Sequence, residues 1–103
     1  MPTELPPIAC SLPSGAFHDR VAELAALART ALIGRRREGL TLELRYSAAA
    51  ADRVRDIVRL EQKCCAFLTF EVTESPSELV VTITAPAHAR ASLDSVFAPF
   101  LGD

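Results

Sequence analysis

Leu40-Thr41-Leu42-Glu43-Leu44-Arg45-Tyr46 is the stretch whose reading decides the fold. Leu40, Leu42, Leu44 and Tyr46 alternate with Thr41, Glu43 and Arg45. A period of two sets one face of a β-strand against a core and leaves the other open. Ser47 follows, a residue type that caps helices by accepting a backbone N–H. Beyond it the apolar spacing changes to three and four. Ala51, Val54, Ile57 and Val58 form one stripe, and Asp52, Arg53, Arg55, Asp56, Arg59 and Lys63 occupy the other side. The switch in period predicts a strand over 40–46 and a helix over 48–65. Asp52 and Asp56 repel, but Arg55 and Arg59 lie three residues after each and compensate.

The same two periods order the chain on either side. Over 67–73, Leu68, Phe70 and Val72 alternate with Phe67, Thr69, Glu71 and Thr73. Over 79–84, Leu79, Val81 and Ile83 alternate with Val80, Thr82 and Thr84. Ser75-Pro76-Ser77 is the turn that makes these two strands a hairpin. Pro86 opens a last helix at its first turn, where a missing N–H costs nothing; Leu93, Val96, Phe97 and Phe100 are its core face. Upstream, Phe17, Val21, Leu24, Ala28, Ala31 and Leu32 predict a helix over 16–33, with Ser14 as cap and Gly34 as stop. Arg35, Arg36 and Arg37 then read as a solvated helix end, where the carbonyl terminus favours cations. Pro2, Pro6, Pro7 and Pro13 exclude a helix from the first 15 residues. Residues 1–7 read as a flexible arm, and Ile8-Ala9-Cys10-Ser11-Leu12 as an edge strand or extended arm.

The expected order is (β)αβαββα: an α/β (α+β) two-layer sandwich, with three helices on one face of a mixed three- to four-stranded sheet. Strand 40–46, the second helix and strand 67–73 would form a right-handed crossover. The open face would carry Thr41, Glu43, Arg45, Phe67, Thr69, Glu71, Val80 and Thr82.

Composition bounds the function. The chain has 103 residues, half of them hydrophobic, which is one domain spanning 1–103. A formal net charge of −2 gives no electrostatic case for nucleic acid. No apolar run approaches the ~20 residues of a membrane span, and the amino terminus lacks the pattern of a secretory signal. Three cysteines, Cys10, Cys64 and Cys65, are too few for a disulfide framework. Reduced thiols and a cytoplasmic location are expected. Arginine outnumbers lysine ten to one and alanine occurs 17 times, a composition expected of GC-rich bacterial coding.

One place breaks the binary pattern. Continuing the stripe of the second helix, both Ile57 plus four and Val58 plus three arrive at Glu61, and Glu61 plus three and four arrive at Cys64 and Cys65. A carboxylate therefore falls on the inward face, one turn before a vicinal thiol pair. Buried carboxylates need a partner, and pattern breaks concentrate at functional or strained sites. Two thiolates with Cys10 would make a three-sulfur set suited to zinc, copper(I) or an arsenic- or mercury-type ion, with Glu61 as a further ligand or acceptor. Adjacent cysteines cannot readily close a relaxed disulfide on each other.

Other readings stand beside this one. Cysteine also packs as a small hydrophobe, and Glu61 could pair with Lys63, Arg90 or a backbone amide. The protein would then be an interaction module, with Phe67 and Val80 on an open sheet face forming a homodimer contact. A thiol redox protein is the third reading, disfavoured because a helix carboxyl end opposes thiolate formation. His18 and His88 read as surface residues, and no nucleophile–base–acid set or phosphate loop can be assigned, so an enzyme is not favoured.

Ile8-Ala9-Cys10-Ser11-Leu12, Leu60-Glu61-Gln62-Lys63-Cys64-Cys65-Ala66-Phe67-Leu68-Thr69-Phe70 and Val81-Thr82-Ile83-Thr84-Ala85-Pro86 together resemble a family of small bacterial proteins without an assigned activity. The resemblance covers roughly residues 8–101. It singles out Cys10, Glu61, Cys64, Cys65 and Phe67 without giving any of them a role. It implies a loose association with heavy-metal resistance.

Overall fold

The computed structural model describes residues 14–64 and 67–101. Helix α1 spans Ser14–Ala31, strand β1 Leu32–Glu38 and strand β2 Thr41–Ser47. A 3₁₀ turn over Ala48–Ala50 leads into helix α2, Ala51–Cys64, and the hairpin of β3, Thr69–Glu74, and β4, Glu78–Thr84, follows. A second 3₁₀ segment, Ala87–Ser92, precedes helix α3, Leu93–Leu101. The sheet order is β1-β2-β4-β3, and every neighbouring pair is antiparallel.

Strand alternation decides what lies between the layers. Leu42, Leu44 and Tyr46 of β2 pair with Ile83, Val81 and Leu79 of β4, and all six are buried. Leu24, Leu27 and Ala31 of α1, Val54, Ile57 and Val58 of α2, and Leu93, Phe97 and Phe100 of α3 complete one core with them. Full burial of such a side chain contributes roughly 1.5–3 kcal/mol. Phe70 and Phe100 meet across the layers with ring centroids 6.0 Å apart and planes tilted by 59°, an edge-inclined geometry that aromatic quadrupoles favour. Ser47 accepts a hydrogen bond from the Ala49 amide at 3.4 Å, so the cap read from sequence stands at the strand-to-helix corner.

The two-layer α/β sandwich is as expected, with differences in detail. The sheet is antiparallel throughout instead of mixed. Strands β2 and β3 run in the same direction, but β4 lies between them. A hairpin partner made by a short turn takes the central place, and the crossover strand is left at the edge.

The largest difference is β1. Gly34 and the three arginines do not end a helix; they pair with β2, from Gly34 opposite Arg45 to Glu38 opposite Thr41, with a register irregularity between Leu32 and Gly34. Gly39 has φ 58° in the two-residue connection to β2, a conformation that glycine reaches without strain and that tight hairpins require. The connection is tied down where the Ala85 amide donates to the Leu40 carbonyl at 2.8 Å. As an edge strand β1 exposes most of its residues on both faces, so no alternation marks it in sequence. The α1 stripe likewise runs through Leu27, and Leu32 belongs to β1.

Phe67 is buried in the turn before β3 and not on the open sheet face. Ser75, Pro76 and Ser77 are the whole β3–β4 connection. Ser75 closes it: its amide donates to the Glu78 carbonyl at 2.9 Å and its Oγ accepts from the Glu78 amide at 3.2 Å. The segment Ile8–Leu12 and the arm at 1–7 lie outside the described residues.

Candidate functional site

Helix α2 delivers the residues singled out by pattern. Its stripe of Val54, Ile57 and Val58 continues to Glu61, which is 3% exposed and is the one charged side chain fully buried among the described residues. The carboxylate meets Arg20 from α1, whose Nη1 donates to Glu61 Oε1 at 2.7 Å. Arg20 is itself largely covered and lies 4.0 Å from Glu23. Arg20 is a partner that the sequence reading, which named Lys63, Arg90 or a backbone amide, did not name. The signal was present: Arg20 precedes Leu24, Leu27 and Ala31 at spacings of four, three and four. It is therefore a charge on the apolar stripe of α1, as Glu61 is on that of α2. Two stripe violations of opposite sign, on two helices that share the core, meet each other, as buried charges must.

The backbone of Cys64 is the last residue of α2, three beyond Glu61. The last turn of this helix is tied to the sheet where Gln62 Nε2 donates to the Phe70 carbonyl at 3.4 Å. Cys10 and Cys65 lie outside the described residues. Among the described residues, no three His, Cys, Asp or Glu side chains are grouped as metal ligands. What the structure brings together from the candidate set is Glu61 and the carboxyl end of α2, with Arg20 added.

Glu61 also lines an internal cavity of about 10 Å³ together with Leu24, Ile57, Tyr46, Phe70 and Phe100. That volume accommodates about one water molecule and no organic ligand. Burial pushes the Tyr46 phenol up to about 12, because the phenolate would lose its hydration in this apolar setting. Tyr46 is therefore neutral over the physiological range and cannot act as a base there.

His88 differs from its expected surface position. It is half-buried, and its Nε2 is buried with no hydrogen-bond partner among the described residues. Arg37, read from sequence as a solvated helix end, instead lies over the Phe97 ring at 5.4 Å from the centroid and donates to Asp94 at 2.6 Å. These contacts bridge the edge strand to α3.

No described helix is long and apolar enough to cross a membrane. Compared with protein-family models, curated proteins and solved structures, the chain finds no match.

Proposed function

We propose that this protein binds a thiophilic metal or metalloid ion through cysteine thiolates at the carboxyl end of α2, in a reducing cytoplasm. The observation that supports this reading is the buried Arg20–Glu61 pair one helical turn before the vicinal cysteines. A buried ion pair gives less stability than apolar residues of the same volume. Placing one a helical turn before two cysteines in sequence suits a site that handles charge. The pair also revises the role of Glu61. A carboxylate held by a guanidinium supports the sulfur ligands from behind and does not itself coordinate the ion. Cys64 and Cys65, with Cys10 as the third sulfur, would supply the soft donors that zinc, copper(I) and arsenic- or mercury-type species prefer.

The test is a titration of the reduced, metal-free protein with cadmium and with a trivalent arsenical, followed by thiolate–metal absorption and mass spectrometry. One ion bound per chain is expected, with protection of the thiols from alkylation. Cys64→Ser and Cys65→Ser should each abolish tight binding, and Cys10→Ser should weaken it. Absence of uptake, with thiols that stay unreactive until unfolding, overturns the reading.

A second reading is favoured by the placement of the helices. The core lies on one side of the sheet, and Thr41, Glu43, Arg45, Val80 and Thr82 form the opposite face. This face could contact a second copy. Val80→Glu, at its centre, would lower the solution mass of such a dimer and would leave ion binding intact.

A further inference from the structure

The two edges of the sheet carry opposite charge. Strand β1 has Arg35, Arg36, Arg37 and Glu38, a formal net charge of +2, with Arg36 paired to Glu38 and Arg37 to Asp94; β3 has Glu71 and Glu74, a formal net charge of −2, with Glu74 paired to Arg55. Among the described residues no strand pairs with the outer side of either. Two of the large apolar side chains most exposed among the described residues lie on these edges, Ile33 on β1 at 57% and Val72 on β3 at 38%. Successive antiparallel pairing makes β1 and β3 run in opposite directions. A second copy displaced along the sheet therefore presents its β3 antiparallel to β1 of the first, with no reversal of the molecule. We infer that copies of this chain associate head to tail by adding the acidic edge β3 of one to the basic edge β1 of the next.

Register follows from the faces. Arg36 shares the open face with Glu43, and Glu71 shares it with Thr82. Three registers keep open face on open face, pairing Arg36 with Thr69, Glu71 or Thr73. Only the middle one sets Arg36 directly opposite Glu71. It also brings Arg35 opposite Val72. The register pairing Arg36 with Thr73 sets Glu38 against Glu71, where like charges repel. A heterologous contact of this kind forms open chains or rings, not a closed two-fold dimer. Lone edges are usually guarded by charge; here the guard on one edge is the complement of the other.

The experiment is analytical ultracentrifugation of the full chain, reduced and with chelator, over a concentration series reaching the millimolar range. Mass should climb past two chains at low salt. It should fall back when ionic strength rises from about 0.01 M to about 1 M, which shortens the screening length roughly tenfold. Arg36→Glu and Glu71→Arg should each weaken association by about tenfold, since each turns an attractive cross-strand pair repulsive. Mixing these two variants should restore it, because each supplies the edge that the other lacks. Val80→Glu should leave it unchanged. Melting curves check that each variant folds. The inference is overturned if the protein stays monomeric at every concentration, if mass stops at a dimer, or if the mixture associates no better than either variant alone.

Discussion

The Arg20–Glu61 and Arg45–Glu78 pairs have nearly the same geometry, 2.7 and 2.8 Å, and opposite surroundings. The first is 12% and 4% exposed in its side chains, the second 48% and 26%. Burial, not distance, decides what such a contact does. In the core, each charge has given up its hydration and depends on its partner. On the open sheet face, water and salt replace a lost partner at little cost. The buried pair is a commitment of the fold; the exposed pair is a surface contact between neighbouring strands.

Breaking the buried pair on one side has the largest expected effect. Arg20→Ala takes the guanidinium away from the buried Glu61 carboxylate and should cost about 3–5 kcal/mol in urea unfolding at neutral pH. A loss below about 1 kcal/mol would show that water or other groups carry the carboxylate.

Tyr46 sharpens the contrast, because it is a buried polar group that is neutral. Its folded-state pKa of about 12 lies above the roughly 10 of an unfolded tyrosine. Its contribution is therefore fully present below pH ~10 and is lost as pH rises through ~12, with a total of order 2–3 kcal/mol. Chemical denaturation followed between these pH values should show that slope, and Tyr46→Phe should flatten it.

Removing both charges of the buried pair together is a smaller perturbation than removing one. Arg20→Met with Glu61→Leu should fold within about 1 kcal/mol of the parent or be more stable. If Glu61 supports the thiols, the double variant should still lose ion affinity in the cadmium titration. The smallest effect is expected at the surface: Glu78→Gln should melt within error of the parent, and raising salt should erase any difference.

The elements that line the core on both sides were legible because periodicity reports burial directly. Leu42, Leu44 and Tyr46, Leu79, Val81 and Ile83, and Val54, Ile57 and Val58 are buried as their spacing requires. Strand β1 was not legible, since an edge strand exposed on both faces has no hydrophobic period, and Arg35–Arg37 look the same on a helix end as on an edge. Phe67 lies off the sheet because the ladder begins only at Thr69, and the turn before it continues the same apolar alternation by chance of spacing. Of the candidate site, Glu61 was visible as a violation of its stripe. Arg20 was equally visible in principle, but it becomes conspicuous only once Leu27 is placed on the buried face of α1.

The sequence by itself determined which residues face the core of β2, β4, α2 and α3, and that a carboxylate lies among them one turn before two cysteines. Only the tertiary structure decided which strand sits beside which, that Gly34–Glu38 close the sheet as an edge, and that Arg20 pairs with Glu61. Local periodicity fixes which way a side chain points relative to its own element. Who meets whom across 41 residues of chain depends on how the elements pack, and a pattern within one element carries no information about that.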